Sequence, residues 1–308
     1  MKTTRFWSPR RKLWRIRRSV PRLARPLSAL ASAGPPSRPI LILGCPRSGT
    51  SLVLQAFLRV PGLRSVQSEG HILWDEFHHP RERGWDSDAL AAEMVTDRER
   101  EYVYTAVRLF ARGRRFVDKT PESCLRVPYL HELFADARFV LLRRRAADNV
   151  NSLIEGWRAR PRFVKYRLPE PLEGLGPLSG HAWSFVLVPG WRELRDASLE
   201  EICARQYVAC NEAVLAARDE IGGEQWTDLA YEDLLADPAG ELERVFARVD
   251  VPFAAEARAF AEALPRTLSA TALTAPRREK WRDQNREAVE RVLPLVRPTE
   301  TRLGYEPA

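Results

Sequence analysis

Residues Gly44-Cys45-Pro46-Arg47-Ser48-Gly49-Thr50-Ser51 place two glycines five apart between two differently patterned segments. The preceding run, 39–43, is short and apolar and reads as a buried strand. After Thr50 the apolar residues Leu52, Val53, Ala56 and Phe57 recur at helical spacing. Strand, glycine turn and helix in that order make an anion cradle, because loop N–H groups and a helix N-terminus converge on one point. A chain built on such a unit needs a parallel strand neighbour and helices to cover both sheet faces.

The rest of the chain supplies both. Strands are expected at 116–117, 138–142 and 226–229. Helices are expected at 87–111, 125–134, 146–157, 200–221, 238–249 and 256–264. Residues 158–196 are rich in Pro, Gly and aromatics and read as an insertion. Alternating strands and helices predict an α/β fold: a P-loop-type three-layer α/β/α arrangement with a mostly parallel central sheet. It would occupy 39–308, behind a basic tail at 1–38.

Charge separates tail from body. Residues 1–38 hold 11 Lys and Arg and no acid, leaving 38 basic against 41 acidic residues in the remainder. The tail reads as a flexible, solvated arm. The alternative is a segment lying on an anionic membrane, since Phe6, Trp7, Trp14 and Leu23 are interleaved with the arginines. The net-acidic body and the absence of a recognition motif argue against nucleic acid. No run reaches the roughly 18 apolar residues of a transmembrane helix. Cys45, Cys124, Cys203 and Cys210 form no C-x-x-C pair and have no His at ligand spacing, so no metal site and no disulfide is expected. A cytoplasmic location, with or without peripheral membrane contact, follows.

The loop departs from the nucleotide-hydrolase template G-x-x-x-x-G-K-[ST] at one point: Thr50 stands where the lysine belongs. That lysine reaches the β- and γ-phosphates of a triphosphate, so a smaller anionic group suits this loop better. Residues Pro46 to Leu52 resemble the 5′-phosphosulfate loop of sulfotransferases that use 3′-phosphoadenosine 5′-phosphosulfate (PAPS). The resemblance implies that Arg47, Ser48, Gly49, Thr50 and Ser51 hold the donor.

A second anion site is read at Arg143-Arg144-Arg145, where a strand ends. Asp148 and Ser152 share a face of the following helix. The spacing of Arg144, Asp148 and Ser152 resembles the family's 3′-phosphate motif, with Ala146 in place of its Pro. Arg144 and Ser152 would hold the 3′-phosphate, with Arg143 as the fallback register.

Removing the acceptor's proton needs a base within hydrogen-bond reach. Glu69, in Gln67-Ser68-Glu69-Gly70-His71, resembles the family's glutamate after the loop; His71 is the rival. Lys119 resembles the family's Lys-Thr-Pro lysine near the transferring group, and with Arg47 completes the catalytic set. Tyr231, in Tyr231-Glu232-Asp233-Leu234, and Lys280, beside Trp281, resemble nucleotide-contacting segments. Trp281 is expected either to stack on adenine or to pack. The implied reaction moves a sulfuryl group from PAPS to a hydroxyl of a carbohydrate, glycolipid, small metabolite or tyrosine, without metal. Trp157, Phe163, Tyr166, Trp183, Phe185 and Trp191 are expected to line the acceptor wall. The competing readings are an ATP-dependent small-molecule kinase and a nucleic-acid or membrane binder acting through the tail.

Overall fold

Strand β1 (Ile40–Leu43) is buried at every position because it is the middle strand of a five-stranded sheet. The computed structural model describes residues 34–66, 69–264, 273 and 277–306. Most of the tail, and Gln67 and Ser68, lie outside the described residues. Helix α1 (Thr50–Phe57) follows β1, then β2 (Leu63–Arg64), α2 (His71–His78), α3 (Asp97–Ala111), β3 (Arg115–Lys119) and α4 (Val127–Leu133). Next come β4 (Arg138–Arg143), α5 (Ala146–Arg158), β5 (Val164–Leu172), β6 (Gly180–Ser184), α6 (Leu199–Ile221) and β7 (Trp226–Ala230). The chain ends through α7 (Tyr231–Ala236), α8 (Pro238–Arg248), α9 (Ala255–Ala263), α10 (Trp281–Gln284) and α11 (Arg286–Arg302).

The sheet order is β2-β3-β1-β4-β7, and every pairing is parallel. Alternation along the strands divides the core in two. Leu41, Leu43, Phe139 and Leu141 join one cluster with residues of α3, α5, α6 and α11. Ile40, Ile42, Val140 and Leu142 join the other with residues of α1, α8 and α9. The expected α/β/α sandwich is therefore the fold.

One expected helix is shorter than its pattern implies, and two further elements go beyond what the pattern showed. The helix expected at 87–111 starts only at Asp97, capped by Thr96, whose hydroxyl accepts the Glu99 N–H at 3.3 Å. Residues before it turn away because their backbone pairs elsewhere: Asp88 N donates to Leu187 O at 2.7 Å and Leu90 N to Leu125 O at 3.1 Å. The insertion at 158–196 forms an antiparallel hairpin, β5 with β6. The last helix, α11, carries Pro294 and Pro298; both are exposed, while Val289, Val292, Val296 and Thr299 bury its inner stripe. Those prolines hide the helical pattern from the sequence.

Among the described residues no helix is long and apolar enough to cross a membrane.

Candidate functional site

Connections leave β1 toward β2 and leave β4 toward β7, in opposite directions across the sheet. The gap between their carboxyl ends is the switch point where open α/β sheets bind ligands. The loop after β1 and the arginines after β4 meet there. Arg144 Nη1 donates to the Arg47 carbonyl at 2.7 Å, and Asn149 Nδ2, on α5, donates to the Pro46 carbonyl at 3.1 Å. Two consecutive loop carbonyls are thus held by side chains of the second anion segment.

Backbone geometry inside the loop is unusual. Arg47 has φ of 73°, a left-handed conformation that costs a non-glycine residue about 1–3 kcal/mol and is tolerated where surroundings enforce it. Gly49 has φ of 105°, and a Cβ there would lie 2.7 Å from the Tyr231 ring. The glycine is required twice, by its dihedral and by Tyr231. Gly49→Ala is therefore expected to push Tyr231 off the loop and weaken binding of a phosphate-bearing ligand there at least tenfold, an effect of about 1.4 kcal/mol. Unchanged affinity by calorimetry would show that the loop can relax.

The arginine triplet separates by strand alternation. Arg143 Cζ lies 5.0 Å and Arg145 Cζ 5.1 Å from the Tyr305 ring, so both turn to the C-terminal segment. Arg144 turns the other way, 4.4 Å over the Tyr231 ring. Arg144 is the arginine that faces the loop, and Arg143 is not. Arg47 Nε donates to Ser152 Oγ at 3.4 Å, which brings the second motif's serine onto the loop's cation. Burial, with Arg144 and Arg162 nearby, pushes the Arg47 guanidinium down to about 10. Arg162 was not singled out in the sequence; its neighbourhood is set by the hairpin, a long-range feature. Lys280 lies in the same field, lowered by burial and by Arg144 and Arg277. The neighbouring Glu279 N–H donates to Asp148 Oδ2 at 2.9 Å, tying the 277–280 segment to α5. Ser48 Oγ, Arg144 Nε and Asp148 Oδ1 are buried without a hydrogen-bond partner. Buried polar atoms are rarely left so; of these, Ser48 Oγ and Arg144 Nε are donors that an anionic ligand would meet. Trp281 packs in the core, 8% exposed, with Arg282 Cζ 4.5 Å over its ring; of its two expected roles, packing is the one observed.

A second group of residues gathers at the end of β3. Lys119 Nζ contacts Glu69 Oε1, and His71 Nδ1 lies 3.7 Å from Glu69 Oε2. Gly70 N donates to Asp118 Oδ1 at 2.8 Å, which orients the turn carrying Glu69. Burial pushes the Asp118 carboxyl up to about 6. Ligand atoms of Glu69, His71 and Glu122 lie within 4.8 Å of one another, a spacing able to hold a metal ion. Two lysines already serve those carboxylates, however, Lys119 at Glu69 and Lys165 at Glu122. The sequence reading missed Glu122 and Lys165; only the hairpin's return to β3 brings them together.

The aromatic wall is corrected. Trp157, Trp183 and Trp191 are 0% exposed and pack edge to face on one another. Tyr166 is buried, its hydroxyl donating to Asp88 Oδ1 at 2.6 Å. They build the core under the hairpin and cannot line an acceptor cleft. Phe163 and Phe185 stack at 5.2 Å, and Phe163 lies 4.8 Å beneath the Arg47 guanidinium; these two remain beside the site.

Comparison with known proteins adds three findings. A family model described as the sulfotransferase family matches residues 39–167 and 182–255; the gap falls on the hairpin. No curated protein sequence matches the chain significantly. Among solved structures, the sulfotransferase STF9 of Mycobacterium avium aligns at 18% identity and TM-score 0.56, covering 89% of this chain and 78% of that one. STF1 of Mycobacterium tuberculosis aligns at 15% identity and TM-score 0.50, covering 88% and 78% respectively. A sulfotransferase of Alicyclobacillus acidocaldarius aligns at 15% identity and TM-score 0.50, covering 88% and 94%. At these identities the structures speak for a shared fold.

Proposed function

Because the chain belongs to the sulfotransferase family, we propose that it moves a sulfuryl group from PAPS to an acceptor hydroxyl, with Glu69 as general base. The observation that carries this reading is the convergence of two cationic motifs, Arg47 with Ser152 and Arg144 with the Arg47 carbonyl, at one switch point. A donor with a 5′-phosphosulfate and a 3′-phosphate presents two anions, and two such motifs answer it. The orphaned Ser48 Oγ and Arg144 Nε fit that demand.

In this reading the loop residues Arg47, Ser48, Gly49, Thr50 and Ser51 hold the 5′ end. Arg144 and Ser152 hold the 3′-phosphate, while Tyr231 and Lys280 close over the nucleotide. PAPS supplies an activated sulfuryl group and a phosphate leaving group. Preorganised cations then stabilise charge that grows in the transition state, and Arg47 and Lys119 are the ones nearest that point. Glu69 accepts the acceptor's proton, oriented by Lys119 on one oxygen, with His71 Nδ1 3.7 Å from the other. The acceptor is a hydroxyl compound, either carbohydrate, glycolipid, small metabolite or tyrosine, that reaches the site beside Phe163 and Phe185.

Calorimetry with adenosine 3′,5′-bisphosphate tests the reading. Binding in the micromolar range or tighter is expected, and Arg144→Ala should weaken it roughly 10–100-fold, the loss of a charge-assisted contact. No heat at millimolar nucleotide, or magnesium-dependent consumption of ATP instead, would overturn it in favour of phosphoryl transfer or neither.

A further inference from the structure

The pole opposite the phosphate loop consists of the turns that feed the strands. Arg59 precedes β2, and Arg112 and Arg114 precede β3; all three are exposed. Leu58 and Leu109 stand at the same pole, at the ends of α1 and α3. They are 44% and 45% exposed, the large hydrophobic side chains that protrude among the described residues. Acids stand at this pole too: Asp250 contacts Arg38 and lies 3.9 Å from Arg138, and Asp136 accepts the Arg38 N–H at 2.8 Å. Glu220 and Glu224, before β7, are exposed carboxylates on the same side. The chain also enters the fold at this pole. Residues 35–38 border a groove of about 560 Å³ shared with Arg108, Arg114 and Arg115. Ahead of them, residues 1–33 carry ten basic residues and no acid.

We infer that this pole docks on an anionic lipid bilayer. Arg59, Arg112 and Arg114 on the turns face the headgroups, and Leu58 and Leu109 reach the boundary with the acyl chains, while residues 1–33 add ten basic residues to the chain's charge. Basic residues combined with protruding apolar ones fit a bilayer interface. A nucleic-acid backbone would use the arginines but leave both leucines in water. The geometry has a consequence for catalysis. The five-residue strand β3 spans about 17 Å at roughly 3.3 Å per residue, so docking by this pole turns the phosphate loop toward the aqueous side. Substrates then arrive from water, not from the bilayer to which the protein is bound.

The test uses the full chain and cosedimentation with vesicles of phosphatidylcholine alone or mixed with phosphatidylglycerol. Binding at least tenfold tighter to the anionic vesicles is expected, weakening as salt rises. At roughly fivefold per arginine at a lipid surface, Arg112→Ser with Arg114→Ser should weaken binding about 25-fold. Arg192→Ser with Arg195→Ser removes the same charge from the segment after β6 and should change it less than about twofold. Leu58→Ser with Leu109→Ser should lower binding several-fold without altering its salt dependence. All six positions are at least partly exposed, and thermal melts establish that each variant is folded. Three results overturn the inference: equal binding to both vesicle types, equal losses from the two arginine pairs, or tighter binding to duplex DNA than to anionic vesicles at matched phosphate concentration.

Discussion

Replacing Glu69 by Gln is expected to lower kcat roughly 10²–10⁴-fold, the usual worth of a general base, while affinity for adenosine 3′,5′-bisphosphate stays within about twofold. The two effects separate because the groups separate. Glu69 lies at the end of β3 with Lys119 and His71, whereas the two cationic motifs lie between β1 and β4. Gln keeps the volume and one acceptor oxygen but cannot take a proton. Lys119 would keep a partner, so the turn held by Gly70 and Asp118 should stay in place. His71 offers the competing explanation, because its Nδ1 is 3.7 Å from Glu69. Should His71→Ala abolish turnover and Glu69→Gln retain it, the roles of the two residues must be exchanged. If both variants keep wild-type kcat, proton removal is not assisted by this cluster at all.

Local patterns account for what the sequence made visible. The loop and its flanking strand and helix are contiguous, so residues 39–57 announce themselves. The Arg144 to Ser152 spacing is likewise contained in one strand end and one helix. Register was the weak point there, with Arg143 as the fallback. Period-two alternation decides which arginine faces the loop: Phe139 and Leu141 share a cluster with Tyr305, and Val140 and Leu142 share one with Tyr231. Arg143 follows the first set and Arg144 the second. What stayed hidden depends on distant pairing. Lys165 reaches Glu122 only because the hairpin folds back on β3. Five of the six aromatics expected at the acceptor wall are buried, Phe163 being the partly exposed one, since composition does not reveal which side of a hairpin faces the core. Helix α11 was masked by two prolines on its exposed face.

The same hidden network carries the largest expected effect on stability. Arg126 is 0% exposed. Its Nη1 donates to Asp75 Oδ1 at 3.0 Å and its Nη2 to Asp88 Oδ1 at 3.0 Å, while Nε donates to the Asp88 carbonyl at 2.7 Å. Asp88 also accepts the Tyr166 hydroxyl and, at 2.7 Å, the Leu187 N–H, so one guanidinium joins α2, the 85–90 turn and the hairpin. Removing a single partner from a buried ion pair costs about 3–5 kcal/mol, because the other charges stay behind unpaired. Arg126→Met should therefore lower Tm by roughly 6–15 °C. Its pH dependence identifies the cause. Burial alone would raise the Asp75 carboxyl, but Arg126 holds it below the usual range. In the wild type that depressed value contributes stability above the ordinary carboxylate pKa, and the contribution is lost as pH falls through it. In Arg126→Met the cation is gone, burial raises the same carboxyl, and protonation relieves the unpaired charge. The Tm gap between wild type and variant should thus shrink as pH falls from about 7 to about 4. A gap that stays constant over that range would assign the loss to packing of the arginine stem rather than to its charge, and a gap below about 2 °C throughout would mean that the pair contributes little.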